Sequence, residues 1–120
     1  MTTLKLRLVF DSAMLGPGKA DLLAGVRDTG SIAAAGRQMG MSYKRAWSLV
    51  EEMNAAFAAP LVQSSRGGAG GGKASLTEAG VRVLALYFRL LEKAETAVAP
   101  EVAELEALLK AAESDMSAGK

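Results

Sequence analysis

Ser42, Tyr43, Lys44, Arg45 and Ser48 place hydroxyl, ammonium and guanidinium groups within seven consecutive residues. The segment reads as the opening two turns of a helix, with Ser42 as its N-cap and Ala46, Leu49, Val50, Met53 and Phe57 recurring at helical spacing. Lys44, Arg45 and Ser48 fall opposite that apolar stripe. Donors of this kind can bond to phosphate oxygens and to the edge of guanine. The same residues also suit an ordinary solvated surface. Tyr43 lies on the flank, on the first turn, where its hydroxyl could reach a phosphate. Trp47 and Asn54 share that flank and read as structural.

A second cluster of possible chemistry is the run Arg66–Lys73, in which five of eight residues are glycine and the two ends are basic. Glycines lacking Cβ let backbone lie close to a phosphate strand. Gly67 to Lys73 also satisfies G-x-x-x-x-G-K, but Ala74 stands where Ser or Thr would hold magnesium, and a strand-like segment follows instead of a helix. Nucleotide hydrolysis is not expected. The chain has no histidine and no cysteine. That removes the usual general base, the commonest transition-metal ligand and any thiolate site. No catalytic residue, metal ligand or cofactor is assigned, and the protein is not read as an enzyme.

The elements that must position these groups are legible around them. Gly30-Ser31 and Gly40 to Ser42 pair a glycine suited to a left-handed helix end with a capping hydroxyl, so two short helices meet at a tight turn. Ile32, Ala35, Gly36 and Met39 give the first helix its apolar face, and the second is expected over 42–58. Together they form a helix-turn-helix. Upstream, Leu4, Leu6, Leu8 and Phe10 alternate as in a half-buried strand, Asp11 to Gly18 reads as a loop, and Leu22, Leu23 and Val26 mark a helix ending near Thr29. Downstream, Ala59-Pro60 ends the second of these helices, which in a helix-turn-helix is the recognition helix. Leu61 to Ser64 and Ala74 to Leu76 then read as strands around the glycine-rich tip, which makes a wing.

Thr77 caps a long apolar helix whose stripe includes Val81, Leu84, Phe88 and Leu91, with Val83, Tyr87, Leu90 and Ala94 beside it. This arc is wider than a small domain requires, and it predicts a dimer contact through Leu84, Tyr87, Phe88 and Leu91. Pro100 is expected to break the helix, with a second one restarting through Val102, Leu105, Leu108, Leu109 and Ala112. The expected division is a DNA-binding region 1–76, a helical dimerisation region 77–113 and a disordered tail 114–120.

The G-S-I, S-Y-K-x-A-W and E-M-N elements of residues 30–54, followed by the glycine-rich wing, resemble the N-terminal DNA-binding domain of ModE-type molybdate-responsive regulators. The resemblance covers roughly residues 4 to 90; the L-T-E-A-G step is shared more loosely with LysR-type regulators. It implies a mainly α fold with a small β-wing, a winged helix-turn-helix with a long C-terminal dimerisation helix, binding double-stranded DNA as a homodimer. In such regulators the oxyanion sits in a separate C-terminal β-barrel domain that this sequence does not contain, so molybdate is not expected to bind this chain directly.

Charge is divided in the sense this reading needs. Residues 1–75 hold nine Lys or Arg against five Asp or Glu, and residues 76–120 hold five against eight. No apolar run is long enough to span a bilayer, and a cytoplasmic location is expected. The functional expectation is a bacterial-type transcriptional regulator reading a two-fold DNA site; the alternative is a winged-helix adaptor for protein association without DNA binding.

Overall fold

The computed structural model describes residues 2–65 and 72–110. In chain order the elements are β1 (Leu8–Val9), β2 (Met14–Leu15), α1 (Pro17–Thr29), α2 (Ile32–Gln38), α3 (Tyr43–Ala56), β3 (Val62–Ser65), β4 (Lys73–Leu76) and α4 (Glu78–Leu108). This is a winged helix-turn-helix: three packed helices, a two-stranded wing and a long final helix.

The core is built where the apolar faces of α1, α2 and α3 converge on Leu61, Val62 and the start of α4. Leu22, Leu23, Val26, Ala35, Ala46 and Leu61 are fully buried, and Val50 and Met53 nearly so. Small residues let the helices cross closely. A Cβ on Gly25 would stand 2.8 Å from that of Ala35, and one on Gly36 would stand 2.8 Å from that of Ala46. The turn chemistry follows the expected caps. Gly30 and Gly40 adopt φ of 72° and 71°, the left-handed region that glycine enters without steric cost. The Ser31, Ser42 and Thr77 side chains accept from Ala34, Arg45 and Gly80 amides respectively.

Several expectations are corrected. The strand expected over Leu4–Phe10 is paired only at Leu8 and Val9, because its antiparallel partner, β2, is two residues long and lies within the segment read as a loop. Upstream of Leu8 the chain leaves the hairpin and reaches α4, where the Tyr87 hydroxyl donates to the Leu6 carbonyl at 2.6 Å. The recognition helix ends at Ala56 rather than at 58, with Phe57 already extended. Pro100 does not divide the last helix, which is continuous from Glu78 to Leu108. Proline removes the bond to the Thr96 carbonyl, but Thr96 is exposed and water can take that place.

The most consequential correction concerns the apolar surplus of α4. Leu84 and Tyr87, expected at a dimer contact, are 3% and 2% exposed within this single chain and belong to its own core. Periodicity marks an apolar face without saying what covers it. Phe88 is 40% exposed and packs edge-on against Tyr87, and Leu91 is half-buried against the core. Past Leu91 no described residue of the helix belongs to the core or packs against it, and the molecule measures 61 × 33 × 21 Å. Arg66, the wing tip to residue 71, and residues 111–120, including the tail 114–120, lie outside the described residues.

Candidate nucleic-acid interface

α3 turns its buried side, Ala46, Leu49, Val50 and Met53, into the core, and this fixes what its opposite side presents. Lys44, Arg45 and Ser48 are all exposed. Neither basic residue has an ion-pair partner among the described residues, whose two salt bridges join Lys19 to Glu52 and Arg27 to Asp28. Carboxylates enter α3 only at Glu51 and Glu52, after two full turns, and Glu52 is held by Lys19 at 3.2 Å. The leading end of α3 is therefore cationic and uncompensated. The positive end of the helix dipole lies there too, so both fields favour an anion.

Ser42 and Tyr43 are on the same end with different duties. The Ser42 hydroxyl oxygen accepts the Arg45 amide at 3.0 Å, which leaves its hydrogen free to donate outward. Tyr43 is 59% exposed and its ring stands edge-on to Trp47, with centroids 6.2 Å apart. Trp47 is half-buried against the core, so it steadies Tyr43 from behind.

The wing is docked onto this helix by a residue whose partners the sequence did not disclose. Asn54 Oδ1 accepts the amides of Leu61 and Val62 at 2.8 and 3.0 Å, and its Nδ2 donates to the Val62 carbonyl at 3.0 Å. One amide side chain thus satisfies three backbone groups at the start of β3. A half-polar flank position near a helix end, followed by Ala-Pro and a strand, was the only signal available.

Three further bonds complete the frame. Ala74 donates its amide to the Gly30 carbonyl at 2.9 Å, tying β4 to the turn between α1 and α2. Thr77 donates its hydroxyl to the Pro60 carbonyl at 2.6 Å and its amide to the Leu61 carbonyl at 2.9 Å. Gly80 makes this close approach possible, since a Cβ there would fall 2.1 Å from the Leu61 oxygen.

In the wing, Val62, Ala74 and Leu76 turn toward the core, while Gln63, Ser65, Lys73 and Ser75 are exposed on the strands. Lys73 pairs with Ser65 at the far end of the ladder. The structure thus brings Ser42, Tyr43, Lys44, Arg45 and Ser48 together on α3 and sets Lys73 at the outer end of the wing; Arg66 is outside the described residues. No group of three or more His, Cys, Asp or Glu side chains among the described residues could hold a metal ion. No described helix is long and apolar enough to cross a membrane.

Comparison with known proteins agrees with the winged helix-turn-helix fold. Residues 20–81 match the family described as bacterial regulatory helix-turn-helix protein, lysR family. The chain is 48% identical over 75 residues to the molybdenum-pterin-binding protein MopB of Rhodobacter capsulatus, covering 62% of this chain and 28% of MopB. It is 38% identical over 87 residues to the DNA-binding transcriptional dual regulator ModE of Escherichia coli K12, covering 72% of this chain and 32% of that protein. With the transcriptional regulator ModE of Haemophilus influenzae it shares 35% over 95 residues, covering 79% and 36%. The chain therefore spans about a third of the length of these relatives. From α1 to the first turn of α4 the match and the fold coincide, and the chain belongs to the lysR family of bacterial regulatory helix-turn-helix proteins.

Proposed function

We propose that this regulatory helix-turn-helix protein binds double-stranded DNA as a homodimer, with the leading turns of α3 in the major groove and the wing beside the phosphate backbone. One observation carries the reading: Lys44 and Arg45 are exposed and unpaired among the described residues, on a helix whose opposite face is locked by close packing of Gly36 on Ala46. Flexible cations on a rigid support suit base or phosphate contact. Ser42, Tyr43 and Ser48 supply neutral donors around them, and Lys73 a further cation from the wing. The names of the ModE relatives point the same way.

A second copy is best accommodated along α4. Leu91, Ala94, Val98, Val102, Leu105 and Leu109 recur every three or four residues, and Leu105 and Leu109 are 63% and 71% exposed. Residues 92–108 carry Glu92, Glu95, Glu101, Glu104 and Glu106 against Lys93, whereas residues 78–91 carry Arg82 and Arg89 against Glu78. Phe88 would flank the seam. Two such copies would read half-sites about 34 Å apart or a multiple of it.

The test is anisotropy titration of labelled duplex at several salt concentrations. Binding that weakens steeply with salt follows from counterion release on phosphate contact. Salt-insensitive binding, or none, would favour an adaptor for protein association.

A further inference from the structure

The segment before the hairpin lies along α4, and two bonds fasten it. Leu6 offers its carbonyl to Tyr87, and the Thr2 hydroxyl donates to the Glu106 carboxylate. Glu106 lies about 28 Å beyond Tyr87 on the helix at 1.5 Å per residue, so the segment must run extended along it. Its alternation is unequal in burial: Leu4 and Leu6 are half-buried, whereas Thr3, Lys5 and Arg7 are exposed.

The pattern on α4 matches. Between Leu91 and Leu108 the half-buried residues are Leu91, Ala94, Val98 and Val102, one stripe, and every other residue is exposed. Leu91 packs against the core, whereas Ala94, Val98 and Val102 are not among the residues that do. Leu105, Leu108 and Leu109, next to and past the Thr2 attachment, are exposed.

We propose that residues 2–7 form an intramolecular strap that occupies the distal stripe of α4 in competition with a second copy of this chain. The inference rests on the dimer reading above and adds its regulation. The strap covers the seam from Leu91 to Val102, and a second helix takes the same residues. A copy whose strap is docked cannot pair along the full seam. Each copy must release its strap, so a strap docked in about nine molecules of ten weakens the dimer by about tenfold per copy, or about a hundredfold for the pair. Anything that captures residues 2–7 then promotes dimers, and dimers promote two-site DNA binding.

Two variants test this by sedimentation equilibrium across a wide concentration range: deletion of residues 2–6, and Leu4→Glu in the full chain. The second puts a carboxylate against a stripe already flanked by Glu95, Glu101 and Glu106, and leaves the folded body untouched. The expected result is a dimer dissociation constant at least tenfold lower in both variants. A constant that is unchanged or higher, while the full chain dimerises, overturns the strap and leaves the dimer reading standing. If the full chain and both variants stay monomeric at every concentration, the dimer reading fails and the competition with it. A monomeric full chain with dimeric variants would be the strongest support.

Discussion

Asn54 and Leu61 are joined by a 2.8 Å bond from the Leu61 amide to the Asn54 carbonyl oxygen, and this links the recognition helix to the wing. Leu61 is fully buried and Val62 nearly so, so their amides have no water to turn to. Asn54→Ala leaves two buried donors and one acceptor unmet and should cost about 2–3 kcal/mol. Asn54→Asp keeps both acceptor contacts and should cost less at neutral pH. Denaturant unfolding of the two variants measures this; equal and negligible losses would mean the clamp adds nothing.

Glycines at two positions should respond oppositely. Gly80→Ala drives a methyl into the Leu61 carbonyl, where backbone cannot yield, and should destabilise by about 3 kcal/mol. Gly18 has open space around its missing Cβ and lies in α1, so Gly18→Ala should stabilise by about 0.5 kcal/mol. Thermal unfolding of the pair settles the matter, and similar melting points for both would contradict the packing described.

Tyr87 should report alkaline unfolding. Burial, with the Asp21 carboxylate nearby, raises its phenol above the ordinary value of about 10. The folded state therefore favours the protonated phenol. Its contribution is complete below the unfolded value and is lost as pH rises through the folded one. Stability of the wild type should fall more steeply above pH 10 than that of Tyr87→Phe, which starts lower by about 1 kcal/mol for the missing bond to Leu6. Parallel curves would show that the phenol is not held this way.

Much of the candidate interface was readable because local rules govern it. Ser31, Ser42 and Thr77 cap helices through bonds three residues long, and Gly30 and Gly40 serve a backbone need that only their own positions define. The two wing strands are close in sequence. What stayed hidden depends on distant chain. Leu84 and Tyr87 carry the same periodic signal whether the cover is their own core or a partner, and Asn54 finds its three backbone partners across a bend. The two-residue β1 and β2 are too short to carry alternation. Pro100 sits in an exposed helix, where a local penalty can be absorbed.

Molybdate should leave this chain indifferent. No charged side chain among the described residues is buried, so none contributes to an enclosed cationic site for a dianion. Calorimetric titration of molybdate or tungstate should give no stoichiometric heat, and DNA affinity should be the same with and without the oxyanion. Tight uptake would overturn this expectation.

If the leading end of α3 holds DNA, the salt dependence of binding by the double variant Lys44→Ala/Arg45→Ala should show it. Both side chains lie off the buried face, so the variant should melt with the wild type. Its affinity for a selected duplex should fall at least about tenfold, and each lost phosphate contact should reduce the slope of log affinity against log salt by about 1. A lost base contact would instead cost about 1–3 kcal/mol on the selected duplex and little on random sequence. A folded double variant with wild-type affinity and wild-type slope would mean that the leading end of α3 does not hold DNA.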